Sequence, residues 1–197
     1  MLISSYYEAT MTYGYAQQFL DRGMDLEAAK AAASTFVTQA LLLFSIGSAV
    51  FQFFPGLLTD KLGRKKTAII MTVCVVLTFL GFYFGSAGNW SPYVVGFLCG
   101  ACIGSYWYTG DLMHLMVSES TPTNLRASVL SAQPLLSYLL YIPAMGAVML
   151  LTNILGDAYI GICVLVTILP GMIAGLVLMM LKVRETKGVD MGAVTVE

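Results

Sequence analysis

The residues best placed to do chemistry in this chain lie in the apolar segment 92–117. Gly100, Gly104, Trp107, Asp111 and His114 recur there at spacings of four, three, four and three, which sets them along one helical face. A carboxylate inside an apolar block of bilayer-spanning length is costly to keep and is a functional candidate by default. At 1.5 Å rise per residue, Asp111 lies roughly 9–12 Å from the end of its segment, too deep for a short side chain to reach water easily. Asp111 could take up a proton or contact a polar solute, with His114 one turn away tuning its charge. The alternatives are a buried polar pair satisfied by neighbouring helices, or a water-filled vestibule. Glu8 is the second acid in an apolar block, set among Tyr6, Tyr7, Tyr13 and Tyr15. Aromatic rings with polar tips suit a polar organic ligand, and they also mark bilayer interfaces. Gln39, Gln52 and Gln133 are further cavity candidates, or else hydrogen bonds between helices.

Other chemistries find little support. The four cysteines, Cys74, Cys99, Cys102 and Cys163, all fall inside apolar blocks. Cys99 and Cys102 have Cys-x-x-Cys spacing but no second pair or histidine cluster, which reads as small apolar packing residues rather than a metal or redox site. A single histidine, His114, cannot build a zinc site, and no paired acids or phosphate-binding loop stand out. An enzyme is therefore not expected, and neither is a cofactor or a metal.

The elements that must hold these residues follow from composition. The chain is 58% hydrophobic and 11% charged, with mean hydropathy +0.80, whereas soluble domains lie nearer ~45–50% apolar and ~25% charged. Its charges fall between long apolar blocks, as in an integral membrane protein. A formal net charge of −1 gives no reason to expect nucleic-acid binding. The first residues lack a basic stretch and Glu8 interrupts the apolar run, so no cleavable signal peptide is expected.

A helix needs about 20 residues to cross the hydrocarbon core. Apolar blocks predict six spans, at about 1–20, 36–58, 67–86, 92–117, 127–152 and 158–181. Between the first two, Gly23 can end one helix and Asp25 can cap the next. Lys61, Arg64, Lys65, Lys66, Arg126, Lys182, Arg184 and Lys187, eight of the ten cations, alternate onto one side of such a bundle. That asymmetry predicts a multi-pass protein of a plasma or inner membrane with both termini in the cytoplasm. Gly96, Gly100 and Gly104 form a small-residue stripe that admits a close helix neighbour, and Gly171 with Gly175 reads as a second. Pro134 and Pro143 interrupt the fifth span, where they allow kinks or are tolerated as packed bends.

The turn Gly56-Leu-Leu-Thr-Asp60-Lys61-Leu62-Gly63-Arg64-Lys65-Lys66 places an acid four residues before an arginine, spacing that suits a local ion pair. This sequence closely resembles the signature loop of the major facilitator superfamily of transporters, which joins the second and third spans of each six-helix half. Glu119-Ser-Thr-Pro122-Thr-Asn-Leu-Arg126-Ala-Ser resembles the acid-proline-arginine connection between the tenth and eleventh spans of many facilitators. Arg184-Glu185-Thr186-Lys187-Gly188 resembles the Pro-Glu-Thr-Lys-Gly sequence that closes sugar porters, with arginine in place of proline.

The resemblance implies an all-α integral membrane fold, with residues 1–188 forming the C-terminal six-helix half of a twelve-span transporter and 189–197 a cytoplasmic tail. The two halves of such proteins are related by an axis along the membrane normal and hold the substrate between them. Its partners would be the lipid bilayer, an N-terminal six-helix half or a second copy in its place, and a small polar solute such as a sugar or organic acid. The resemblance further implies a cytoplasmic gating cluster of Gly56, Asp60, Gly63, Arg64, Lys65, Glu119 and Arg126. Ion pairs at helix ends can be made in one state of an alternating-access cycle and broken in the other. Gln17-Gln18 lies nearer the outer end than the glutamine pair of sugar porters, and Trp107 stands farther from Glu119 than their tenth-span tryptophan does. The alternative is a six-span protein that homodimerises or packs structurally, with no solute cycle of its own.

Overall fold

A computed structural model describes residues 10, 14–88, 90–156 and 159–188. Glu8, Tyr7 and the tail 189–197 lie outside the described residues. Within them the regular elements are helices: α1 (Tyr15–Asp21), α2 (Leu26–Leu62), α3 (Arg64–Ala87), α4 (Pro92–Ser120), α5 (Arg126–Leu155) and α6 (Ile160–Lys182). Four of them, α2, α3, α5 and α6, are long and apolar enough to cross a bilayer.

The 29-residue α4 is not in that group, although the sequence marks 92–117 as a span. Its glycines, its Tyr106-Trp107-Tyr108 run, Asp111 and His114 dilute the hydropathy that length alone would supply. Of the expected first span, 1–20, α1 covers Tyr15–Leu20 and runs on to Asp21.

Helix ends follow the local signals. Gly23 adopts φ +84°, and the N–H groups of Gly23 and Met24 donate to Leu20 and Phe19 carbonyls at 2.8 and 3.3 Å, closing α1. The Asp25 carbonyl accepts the Ala29 N–H at 2.8 Å as α2 begins. Threonines and serines inside the helices turn back onto their own backbone, as Thr67, Thr72 and Thr152 do at 2.8–2.9 Å, so their hydroxyls need no outside partner.

Packing divides the chain into two compact units, Met1–Gln52 with Cys74–Ser105 and Phe53–Val73 with Tyr106–Glu197. In the first, the glycine stripe of α4 lies directly on α2. A Cβ at Gly96 would stand 2.0 Å from the Ala40 carbonyl oxygen, at Gly100 2.0 Å from that of Phe44, and at Gly104 2.7 Å from that of Ser48. Gly47 returns the contact, since its Cβ would meet the Phe97 carbonyl oxygen at 2.5 Å. Lipid tails are as apolar as leucine, so such backbone approach is a main source of helix association in a bilayer. Cys99 and Cys102 are buried free thiols, and Cys102 Sγ lies 3.8 Å from the Val75 carbonyl.

The second unit centres on Ala68, Leu112, Met116 and Met179, from α3, α4 and α6, with Ile69, Tyr108 and Met113 around them. Helices α5 and α6 also pack together. Among the described residues the close contact expected at Gly171 and Gly175 is not made: a Cβ at either position would meet open space, and the residues that α6 buries are Gly161, Cys163, Val164 and Met179.

Candidate functional site

The turn between α2 and α3 is a single residue, Gly63, with φ +95°. That left-handed conformation disfavours any residue carrying a Cβ. Its N–H donates to the Thr59 carbonyl at 3.0 Å, and its own carbonyl accepts from Thr67 at 3.3 Å, so one helix ends where the next begins.

The reversal leaves the first N–H groups of α3 without helical partners, and Glu185 takes them up. Its Oε1 accepts the Arg64 N–H at 2.8 Å and its Oε2 the Lys65 N–H at 3.2 Å. The Thr186 and Lys187 N–H groups donate to Oε1 at 3.1 Å each. Partial burial pushes the Glu185 carboxyl up, but the N–H donors of Lys187, Arg64, Lys65 and Thr186 together outweigh it and hold the group below its ordinary value. A carboxylate here also complements the positive end of the α3 dipole.

Two lysines make the opposite contact. Lys187 Nζ donates to the Asp60 and Lys61 carbonyls at 2.5 and 3.2 Å, at the C-terminal end of α2. Lys65 Nζ donates to the Met180 carbonyl at 2.8 Å, at the C-terminal end of α6. Cations belong at helix C-termini for the same dipolar reason.

Arg64 turns its side chain to Glu119 rather than to Asp60. Nη2 stands 3.0 Å from Oε1, with side-chain exposures of 22% and 10%. The pair is half-satisfied: Glu119 Oε2 and Arg64 Nε are buried and find no hydrogen-bond partner among the described residues, and the same holds for Arg126 Nε and Thr186 Oγ1. Arg126 reaches back to the Thr121 carbonyl at 3.2 Å and so secures the α4–α5 connection, not the ion pair.

Gly56, Thr59, Asp60, Tyr108, Asp111, Leu112 and Leu115 line a recess of about 310 Å³. Thr59 and Tyr108 join hydroxyls across it. Asp111 is exposed to this recess rather than buried, and it shares the space with Asp60, a pairing that spacing along the chain does not suggest. His114 is exposed outside the lining set, and Trp107 is 55% exposed. Gln39 is half-buried, belongs to the other unit and is not among the residues that line this recess. Gln52 bonds Ser48 on its own helix at 2.8 Å, and Gln133 Oε1 is buried without a partner among the described residues.

The structure thus gathers Gly56 and Asp60 with Asp111, Arg64 with Glu119, and Gly63, Arg64 and Lys65 with Glu185. The residues missed as site members are Glu185 and Lys187. The tail motif that contains them was readable, but the helix ends they bond lie more than a hundred positions away.

The family model described as "Sugar (and other) transporter" matches residues 3–188. An uncharacterized MFS-type transporter, YfkF of Bacillus subtilis, is 32% identical over 106 residues, covering 51% of this chain and 26% of that protein. The human facilitated glucose transporter member 4 of solute carrier family 2 is 30% identical over 97 residues, 49% of this chain and 19% of the relative, and its mouse counterpart matches to the same extent. The matched stretch therefore spans about a quarter or less of the length of these relatives. No solved structure matches the chain significantly. The relatives are transporters and not enzymes, in line with the sequence reading. With helices apolar enough to span a bilayer and a family match running over nearly its whole length, the chain belongs to the Sugar (and other) transporter family of the major facilitator superfamily.

Proposed function

We propose that the chain acts as the C-terminal six-helix half of a secondary transporter that moves a small polar organic solute, a sugar or organic-acid-like metabolite, by alternating access. In this reading the apolar block 1–20, which includes most of α1, and the five longer helices are the six spans. The α2–α3 turn, the α4–α5 connection and the tail then face the cytoplasm, with both termini. The relative named a facilitated glucose transporter supports the solute class, and the cation asymmetry supports the orientation.

The observation that carries the proposal is the Arg64–Glu119 pair at 3.0 Å, held at helix ends that Glu185 and Lys187 tie together. A charge pair whose Nε and Oε2 atoms find no bond among the described residues can exchange partners when helices move, which suits a latch made in one state only. Asp111, open to a recess shared with Asp60, is the candidate for proton uptake or solute contact, and α4 is then polar because it lines a water-accessible path.

Uptake by the full-length transporter in proteoliposomes tests this. Asp111→Asn abolishes pH-driven uptake and spares counterflow exchange if Asp111 carries the proton; a variant with both activities intact removes that role. Arg64→Ala raises the reactivity of a cysteine placed in the recess toward a membrane-impermeant thiol reagent if the pair latches that side. Unchanged reactivity together with unchanged uptake refutes the latch.

A further inference from the structure

The cations of the second unit are not all used alike. Lys65 and Lys187 cap helix ends and Arg64 pairs with Glu119. Lys66, Lys182 and Arg184 are exposed and make no ion pair with Asp60, Asp111, Glu119 or Glu185, the acids described in this unit. The carboxylate nearest in sequence to Lys182 and Arg184, Glu185, is committed to four backbone N–H groups.

The bond from Lys65 Nζ to the Met180 carbonyl brings the start of α3 and the end of α6 together. Lys66 follows the first of these residues and Lys182 lies two beyond the second, so the helix ends that carry these two cations meet, and Arg184 follows in the tail. Each continues an exposed apolar face. Ile70, four residues after Lys66, is 39% exposed, and Val73 is 42% exposed. Leu178, four residues before Lys182, is 59% exposed, and Leu181 is 74% exposed. Uncompensated positive charge at the foot of two neighbouring apolar faces is complementary to an amphiphile with an anionic head, not to a free anion or a neutral lipid. Topology needs cations in such loops, but it does not need them to converge from two helix ends separated by over a hundred residues.

We propose that Lys66, Lys182 and Arg184 form a docking site for the headgroup of an anionic phospholipid whose acyl chains lie along the exposed faces of α3 and α6. The site is independent of the solute cycle proposed above.

Native mass spectrometry of the full chain in detergent tests it, with phosphatidylglycerol and phosphatidylcholine of matched acyl chains as probes. The chain retains phosphatidylglycerol over phosphatidylcholine, and the preference falls about fivefold for each cation removed, reaching parity in K66Q/K182Q/R184Q. Charge-retaining K66R/K182R keeps the preference, as does R22Q/K30Q, whose cations lie in the other unit. Circular dichroism establishes that each variant is folded. Equal retention of the two lipids, or a folded triple variant that still prefers phosphatidylglycerol, overturns the proposal. So does displacement of the lipid by equimolar inorganic phosphate, which would mark a free-anion site. A change of oligomeric state without a change in lipid preference would mark a contact between copies and overturn it equally.

Discussion

A Cβ on Gly63 would stand 2.6 Å from Oε2 of Glu185. The residue that turns α2 into α3 therefore also leaves the space in which the tail's carboxylate reaches the α3 N-terminus. In Gly63→Ala the backbone strain at φ +95° adds to the loss of that docking. The expected loss is about 1–2 kcal/mol of stability, read as a lower unfolding temperature in detergent. Trypsin should cut faster at Arg184 and Lys187. In G63A/E185A the two losses should sum to less than the separate effects, since both remove one contact.

The Glu185 carboxyl is held below its ordinary value by backbone donors that outweigh its partial burial. A depressed carboxylate contributes stability above its unfolded-state value and loses it as pH falls through the folded-state value. Tail docking should therefore persist at neutral pH and weaken progressively below the ordinary carboxylate range. Hydrogen exchange of the Arg64 and Lys65 amides, which donate to Glu185, measures this. Glu185→Gln should flatten the acid limb and exchange faster at neutral pH.

Arg64 and Glu119 form a pair whose side chains are 22% and 10% exposed. Removing either charge leaves the other poorly solvated, so single alanine variants should each lose stability. A double-mutant cycle on thermal or denaturant unfolding should return a coupling of roughly 1–3 kcal/mol. The cycle R64A/D60A should return a coupling near zero, since Arg64 does not turn to Asp60.

Glycines in the two units should respond oppositely to alanine. At Gly96 and Gly100 the new methyl meets backbone oxygen at 2.0 Å, which no rotamer relieves. Each should destabilise by about 1–3 kcal/mol or more, as overpacked cores do. At Gly171 the methyl meets nothing, so Gly171→Ala should be neutral or should stabilise by up to about 1 kcal/mol through helix propensity. Equal losses at Gly96 and Gly171 in thermal unfolding would contradict the packing described for α4.

The residues themselves determine the membrane class, the family, the left-handed closures at Gly23 and Gly63, and the use of Gly96, Gly100 and Gly104. These are local properties: hydropathy over a span, a turn of one residue, a repeat of four. The choice between equivalent local signals belongs to the tertiary structure. Gly171 and Gly175 repeat the spacing of the α4 stripe and face open space, because spacing says which residues share a face but not what the face meets. Asp60 stands nearer Arg64 in sequence, yet packing brings Glu119 to its guanidinium. Asp111 is deep in its segment and still open, since a recess forms beside α4. Glu185 and Lys187 matter only once α6 returns the tail to the α2–α3 turn. Contacts between residues more than a hundred positions apart depend on how helices pack, and no period along the chain records that.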